Sequence, residues 1–143
     1  MFTEKLARRY LPARRDEANK YTHGRLLLVA GSEDFWGAGI LASSAAFRAG
    51  VGYVVWASQT RPLEVLKQIP EVITASVNDA ELWDSPFSAV AVGPGLLPDA
   101  STAELIMRLK RLECPVVLDA GAIQACVEHD LFPLPAHWVI TPH

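Results

Sequence analysis

Two runs of apolar residues flank a glycine-rich loop near the start of the chain, and their spacing predicts a strand–helix–strand unit. The run Leu26–Val29 breaks at Gly31 into a polar and aromatic loop, and a second β-prone run follows at Tyr53–Ala57. Between them, Gly37–Ala49 consists mostly of Gly, Ala and Ser, which suits a helix packed closely on a sheet. Such units build parallel sheets, whose ligands bind beyond the carboxyl ends of the strands. We therefore expect a ligand at the loop Gly31–Gly39.

The rest of the chain repeats this alternation of apolar runs and helical patterns. Four further strands are predicted, at Val72–Val77, Ser88–Val92, Val116–Leu118 and His137–Ile140. Helices or turns are predicted at Leu63–Gln68, at Asn78–Trp83, from Asp99 onward and at Ala122–Glu128. The pattern predicts an α/β fold with a mostly parallel sheet and helices on both faces. Because no helix follows the sixth strand to cover it, the domain is expected to be incomplete.

The helix after the fourth strand carries the clearest helical signals. Ser101 and Glu104 have the spacing of a capping box. Leu105, Leu109 and Leu112 recur at the spacing of one helix face, which predicts a buried stripe.

Composition fits one globular domain and excludes several classes of function. Of the 143 residues, 50% are hydrophobic and 20% are charged, and the net charge of −3 gives no general attraction to nucleic acid. No apolar run approaches the roughly 18 residues of a membrane span. Cys114 and Cys126 lie in apolar surroundings typical of reduced thiols, which indicates a cytoplasmic protein. Residues 1–24 are predicted to form an N-terminal arm before a domain at 25–143.

Candidate ligand contacts cluster at the predicted carboxyl edge of the sheet. Gly93-Pro94-Gly95 ends the fourth strand in a tight turn that lets backbone N–H groups approach a ligand. Asp119 follows the fifth strand, where it either binds a hydroxyl or a metal-bound water or caps the next helix. Lys20 either reaches an anionic ligand or is an ordinary surface lysine. The small residues Gly37–Gly39 serve either packing alone or the approach of an anion to the helix N-terminus.

Familiar catalytic motifs are absent from the sequence. The loop Gly31–Gly39 lacks the Gly-Lys-Ser/Thr of a Walker A loop and the spacing of a dinucleotide fingerprint. The sequence has no zinc-ligand spacing and no nucleophile elbow, and of its four histidines only His143 falls at a predicted strand end. Glycine loops at several strand ends, with few acid–base side chains, favour binding of a phosphorylated or nucleotide-like molecule.

Several motifs occur in a characteristic order along the chain. They are Lys20, GRLLLVAGSEDFWGAGILASSAAFRAGVGYV at 24–54, Pro70-Glu71, AVAVGPGL at 89–96, PVVLDAGAI at 115–123 and VITPH at 139–143. With these motifs, nearly the whole chain after residue 19 resembles the ATP/ADP-dependent NAD(P)H-hydrate dehydratases of the ribokinase-like superfamily.

The resemblance implies a three-layer ribokinase-like fold and a repair activity. Enzymes of this family dehydrate NADHX and NADPHX, which are NADH and NADPH hydrated at C6 of the nicotinamide ring. They couple the reaction to hydrolysis of ADP or ATP, with Mg²⁺ accompanying the nucleotide. Phosphorylation of the C6 hydroxyl makes it a leaving group, which the lone pair of the ring nitrogen expels. Catalysis of this kind rests mainly on positioning and charge stabilisation.

The resemblance also implies roles for individual residues. The positions that match contacts of the hydrated nucleotide are Ala38 with its neighbours Gly37 and Gly39, Gly95 with Gly93, and His143. Asp119 and Lys20 match positions near the phosphates and the metal. The chain departs from the family at Asn19-Lys20-Tyr21, where the family has His-Lys-Gly, and at Phe35-Trp36, which replaces a smaller pair and is expected to alter how the ring is covered.

Members of the family continue beyond the Thr-Pro-His motif with a Gly-Thr-Gly-Asp segment, whose Asp is the expected general base. These 143 residues are therefore expected to supply the substrate side of the site and no catalytic residue, to be inactive alone, and to need a C-terminal half or second chain as partner. The uncovered sheet edge predicts a homo-oligomer. Two alternatives stay open, namely a non-catalytic binder or scaffold of the same fold and another ribokinase-like small-molecule kinase.

Overall fold

The computed structural model describes Thr3, Glu4, Leu6 and residues 23–143 of the chain. The predicted arm over residues 1–24 lies almost entirely outside these residues, and so does Lys20. All the strands described below belong to residues 23–143.

Six parallel strands form one sheet in the described part of the chain. They are β1 (Arg25–Val29), β2 (Tyr53–Ser58), β3 (Ile73–Ser76), β4 (Ala89–Val92), β5 (Val116–Leu118) and β6 (Val139–Ile140), in the spatial order β3-β2-β1-β4-β5-β6. In the middle of the sheet, Leu28 of β1 lies in register with Trp56 of β2 and Ala91 of β4. The strand order reverses direction at β1, so the loops that follow β1 and β4 lie side by side at the carboxyl edge.

Helices lie on both faces of this sheet. They are α1 (Trp36–Arg48), a 3₁₀ helix (Leu63–Lys67), α2 (Ala80–Trp83), α3 (Ala100–Leu109) and α4 (Ala120–Glu128). Side chains of α1 and of the 3₁₀ helix pack on one face, and side chains of α2, α3 and α4 pack on the other. The predicted three-layer α/β fold is therefore confirmed, and every strand pairing in the described sheet is parallel.

Each face of the sheet has its own apolar core because successive strand residues point to opposite sides. Leu28 and Trp56 lie in the core under α1, and Leu27 and Val90 lie in the core under α3 and α4. The Trp56 indole Nε1–H donates a 2.8 Å hydrogen bond to the carbonyl oxygen of Ala30, which satisfies the polar atom of this fully buried ring.

The start of α3 differs from the prediction. Asp99, rather than Ser101, is the N-cap: its carboxylate accepts a 2.9 Å hydrogen bond from the backbone N–H of Thr102 and a 2.8 Å bond from the Ser101 hydroxyl. The predicted capping box of Ser101 and Glu104 is wrong because the extended backbone at Asp99 (φ −104°, ψ 177°) starts the helix before Ser101.

The remaining element boundaries shift by a few residues. The stripe on α3 is confirmed, with Leu105 and Leu109 buried and Leu112 partly buried against the same core. The last predicted helix begins two residues earlier, and the last predicted strand is two residues shorter. Such shifts at element ends are ordinary because terminal residues lack part of the hydrogen-bond pattern.

One part of the sheet is uncovered. Val117 of β5 and its register partner Val139 of β6 share the α1 face of the sheet and are 40% and 56% exposed. Among the residues that the structure describes, the helices on this face pack on the β1, β2 side instead.

No helix in the described residues is long and apolar enough to cross a membrane.

Candidate functional site

The two glycine loops meet at the carboxyl edge of the sheet. The β1–α1 loop (residues 30–35) follows β1, and the β4–α3 loop (residues 93–99) follows β4. The backbone N–H of Gly31 donates a 2.8 Å hydrogen bond to the carbonyl oxygen of Pro94, and the N–H of Gly93 donates a 3.1 Å bond to the carbonyl oxygen of Val29. Each loop therefore fixes the position of the other.

Gly95 and Ala38, which the sequence resemblance pairs as ligand contacts, touch each other. Gly95 has φ +72°, and a Cβ built on it would lie 2.9 Å from the Ala38 Cβ and 2.7 Å from the Phe35 carbonyl oxygen. Only glycine fits this position without strain, both for its backbone conformation and for its space. The contact joins the β4–α3 loop to the first turn of α1.

The two glycines beside Ala38 have different surroundings. A Cβ on Gly37 would meet nothing within 4 Å, so this backbone faces open space. A Cβ on Gly39 would lie 2.0 Å from the Trp56 ring, because the helix packs closely on β2 there. The sequence left packing and ligand approach open for these small residues. The structure gives Gly39 a packing contact and leaves Gly37 accessible.

The ends of β4, β5 and β6 are linked through Asp119. A Cβ on Gly93, which has φ +126°, would lie 1.7 Å from the Asp119 carbonyl oxygen, so the two strand ends are in direct backbone contact. Asp119 occupies the N-cap position of α4 but makes no side-chain capping bond. Its Oδ1 accepts a 2.8 Å hydrogen bond from the Thr141 hydroxyl instead. Asp119 is therefore the N-cap residue by position, as the capping alternative predicts, but its carboxylate bonds to Thr141 rather than to the helix.

His143 lies at the same edge. It lines an open cavity of about 760 Å³ together with Pro94, Asp119 and Thr141, and the cavity continues along the uncovered sheet face beside Ala42 and Ala46 of α1. Four strand ends thus bring Ala38, Gly95, Asp119 and His143 to one side of the molecule. Their roles toward a ligand stay predictions, and Lys20 lies outside the described residues.

The described residues do not by themselves form a metal centre. They contain no group of three or more His, Cys, Asp or Glu side chains that is placed to hold a metal ion. The Asp119 carboxylate is engaged by Thr141 rather than by a second acid.

Burial raises the pKa of the Cys114 and Cys126 thiols, and neither cysteine forms a disulfide, which agrees with the expectation of reduced thiols.

Sequence reasoning missed two polar groups of this edge. The bond between Thr141 and Asp119 joins residues 22 positions apart, so no local sequence pattern predicts it. The Ser32 hydroxyl oxygen is buried without a partner in the loop after β1. The only sequence signal for Ser32 was its place directly after Gly31 at a strand end.

Comparison with known proteins decides the family. The family model described as NAD(P)H-hydrate dehydratase matches residues 26–143, which is most of the chain. The chain belongs to the NAD(P)H-hydrate dehydratase family. The predicted family resemblance is confirmed, and the matched residues include every candidate site residue except Lys20.

Curated relatives of this family are about one-third identical to the chain. The ADP-dependent (S)-NAD(P)H-hydrate dehydratase of Bacillus subtilis is 35% identical over 128 residues, which cover 85% of this chain and 46% of the relative. The bifunctional NAD(P)H-hydrate repair enzyme Nnr of Vibrio cholerae is 35% identical over 145 residues, which cover 97% of this chain and 28% of the relative. The chain thus spans half or less of the length of these curated family members.

Solved structures confirm the fold. The ADP/ATP-dependent NAD(P)H-hydrate dehydratase of Bacillus subtilis, co-crystallised with ATP/Mg²⁺, superposes with a TM-score of 0.82 at 31% identity, over 99% of this chain and 52% of that one. A ribokinase-like superfamily protein of Enterococcus faecalis superposes with a TM-score of 0.89 at 20% identity, which supports the fold alone. The expected ribokinase-like architecture is present, over about half of the family fold.

Proposed function

We propose that this chain forms the substrate-binding half of an NAD(P)H-hydrate dehydratase, which returns NADHX and NADPHX to NADH and NADPH at the expense of ADP or ATP. The observation that carries the proposal is the contact between Gly95 and Ala38 at the carboxyl edge, beside a cavity that reaches His143. These three residues match the family's contacts with the hydrated nucleotide. Family membership supports the general repair function, and the finer assignment is our proposal.

In this proposal the residues of the chain bind and orient rather than react. The hydrated nucleotide approaches the backbone at Gly37, which faces open space, while Gly93 and Gly95 hold the β4–α3 loop against its neighbours. His143 contacts the nucleotide from the end of β6. Asp119 is held by the Thr141 hydroxyl. From the family resemblance, we propose that it lies near the transferring phosphate. Holding the hydrate beside the nucleotide lowers the barrier to phosphoryl transfer through proximity and orientation.

Phosphoryl transfer itself requires groups beyond these residues. In this proposal, Mg²⁺ is held chiefly by the nucleotide phosphates and by the second half of the family domain. We propose that this second half, which also supplies the general base, packs over the exposed Val117 and Val139. Burying exposed aliphatic side chains is favourable by about 25 cal/mol per Å².

A chimaera tests the proposal. Residues 26–143 of this chain would replace the corresponding half of the Bacillus subtilis dehydratase, and ADP- and ATP-driven formation of NADH and NADPH from their hydrates would be followed by absorbance at 340 nm. We expect turnover by the chimaera and none by this chain alone. A chimaera that folds, judged by one cooperative thermal transition, and yet shows no turnover with either nucleotide would contradict the proposal.

The same assay separates the alternatives. A non-catalytic binder predicts a folded chimaera that binds the hydrate and never converts it. A ribokinase-like small-molecule kinase predicts phosphorylation of a free alcohol, and the family match over residues 26–143 argues against it.

Self-association and a cytoplasmic location stay predictions. Light scattering on the purified chain tests self-association.

A further inference from the structure

Two side chains of β2 hold the backbone at the end of β1. The Trp56 indole donates its 2.8 Å hydrogen bond to the Ala30 carbonyl oxygen, and the Ser58 hydroxyl donates a 2.9 Å bond to the carbonyl oxygen of Gly31. Both bonds are buried, and they join residues 26 and 27 positions apart. They fix the direction in which the chain leaves the sheet and enters the β1–α1 loop.

Gly31 connects this arrangement to the second glycine loop. Its backbone N–H bonds to the Pro94 carbonyl oxygen, while its own carbonyl oxygen accepts the bond from Ser58. Gly31 has φ +81°, and a Cβ built on it would lie 3.0 Å from the Trp36 ring, so this residue is closely confined. Loss of the Ser58 bond would therefore loosen the residue that also bonds to Pro94, the neighbour of Gly95.

Ser58 is the donor whose contribution can be isolated. Trp56 also fills the core under α1, so its replacement would remove packing and hydrogen bonding together. Ser58 is only 1% exposed, and its hydroxyl bonds to a glycine that is itself buried. Removing the hydroxyl deprives a buried carbonyl of its side-chain donor, which is costly in a place that water does not reach.

We propose that Ser58 is a positioning residue of the substrate site. It acts through Gly31 rather than by touching the hydrated nucleotide, and it holds the β1–α1 and β4–α3 loops in the arrangement to which the nucleotide binds. The effect on nucleotide binding rests on the proposed function, whereas the hold on the two loops does not.

Ser76 provides a matched control. It is the register partner of Ser58 on β3, and its hydroxyl also donates a 2.9 Å bond to a backbone carbonyl oxygen, that of Gln59. Gln59 follows β2 and belongs to neither glycine loop. Ser58→Ala and Ser76→Ala thus remove the same kind of bond from neighbouring strands.

Two further substitutions complete the series. Ser58→Thr retains the donor, and Ser58 lines a cavity of about 250 Å³, so the added methyl group has space nearby. Ser58→Cys keeps the approximate size of the side chain but donates weakly, and it gives the same comparison if Ser58→Ala does not fold.

Amide signals of the ¹⁵N-labelled chain test the hold on the loops. We expect Ser58→Ala to shift the signals of Gly31 and Gly95 and to speed hydrogen exchange of the Gly31 N–H by about tenfold, because local opening becomes easier. Ser76→Ala and Ser58→Thr are expected to leave both signals and the exchange rate close to those of the wild type. Unchanged exchange in Ser58→Ala, or the same change in Ser76→Ala, would overturn the proposal.

Hydrate affinity tests the consequence for binding. Calorimetric titration with NADPHX is expected to show about fivefold weaker binding in Ser58→Ala, near wild-type binding in Ser76→Ala, and recovery in Ser58→Thr. Urea unfolding midpoints show whether the two alanine variants lose similar stability, so a selective loss of affinity separates positioning from general destabilisation. Wild-type affinity in a folded Ser58→Ala would overturn the positioning role.

The outcome is separable from that of the proposed function. If the wild-type chain binds the hydrate and Ser58→Ala binds it equally well, the positioning role fails alone. If the wild-type chain binds no hydrate, the proposed function fails, and exchange of the Gly31 N–H decides whether Ser58 holds the loops.

Discussion

The Thr141 hydroxyl donates a 2.8 Å hydrogen bond to Oδ1 of Asp119 and thereby ties the end of β6 to the end of β5. The backbone N–H of Thr141 also donates a 3.1 Å bond to the Leu118 carbonyl oxygen, so the segment that carries His143 is fixed at two points. The position of His143 at the carboxyl edge thus depends on the pairing of β6 with β5 and on the hydrogen bond between Thr141 and Asp119.

Replacement of Thr141 tests that dependence. Thr141→Val keeps the shape of the side chain and removes the hydroxyl, so we expect a loss of about 1 kcal/mol in the free energy of unfolding and a several-fold loss of hydrate affinity. Thr141→Ser retains the donor and is expected to bind as the wild type does. Urea unfolding and calorimetric titration measure the two quantities. Unchanged hydrate affinity in Thr141→Val would show that the bond does not organise the site.

Gly93 is expected to be the least replaceable glycine at the edge. Gly93→Ala places a Cβ against the Asp119 carbonyl oxygen at a backbone φ of +126°, so we expect a loss of about 2–4 kcal/mol in the free energy of unfolding. Gly50 also has a positive φ, of +97°, but open space around it, so Gly50→Ala isolates the conformational cost at about 1 kcal/mol. Urea unfolding of both variants provides the comparison. Equal losses would contradict the close contact of Gly93 with Asp119.

Gly95→Ala is expected to weaken hydrate binding by more than its loss of folding stability explains. The added methyl group displaces Ala38 or Phe35, which lie within 3 Å or so of it, and so alters the proposed contact surface of the hydrate. We expect at least a tenfold loss of hydrate affinity, measured by calorimetry. Gly50→Ala serves as the control, because it strains the backbone at a position outside the proposed site. If both variants bind the hydrate equally well, Gly95 is not part of the contact surface.

The N-cap of α3 predicts a pH-dependent contribution to stability. The Thr102 N–H lowers the pKa of Asp99 in the folded state below its ordinary value of 3.8. The stabilisation from this carboxylate is therefore present above that value and is lost as the pH falls through the lower, folded pKa. Asp99→Ala is expected to reduce the free energy of unfolding by about 1 kcal/mol at pH 7 and by less near pH 3. Asp99→Asn, which retains a capping oxygen, is the control, and its loss should be smaller at pH 7. A loss in Asp99→Ala that does not change with pH would contradict a charged cap.

Much of the fold follows from local sequence patterns, because apolar runs such as Leu26–Val29 and Tyr53–Ala57 have few alternatives to a buried parallel strand. The cap of α3 did not follow, since Asp99 and Ser101 are both good capping residues and the backbone conformation at residue 99 decides between them. The family match reproduces the resemblance read from the ordered motifs, from the glycine loops to the final Thr141-Pro142-His143.

The sequence predicted which edge of the sheet carries the candidate site residues, but not the contacts that those residues make. Strand ends and glycine loops indicated the carboxyl edge, yet they did not distinguish Gly39, which packs on Trp56, from Gly37, which faces open space. That difference depends on which side of α1 faces the sheet. The unpartnered Ser32 hydroxyl and the link between Thr141 and Asp119 arise only when loops distant in sequence fold together.

Binding of the hydrate to the chain itself can be mapped residue by residue. Amide signals of the ¹⁵N-labelled 143-residue protein would be recorded during titration with NADPHX, and with NADPH as the unhydrated control. We expect saturable shifts concentrated at Gly37, Ala38, Gly95 and His143, and weaker ones with NADPH. Shifts confined to other surfaces, or no shifts at millimolar hydrate, would contradict the claim that this edge is the substrate side of a dehydratase.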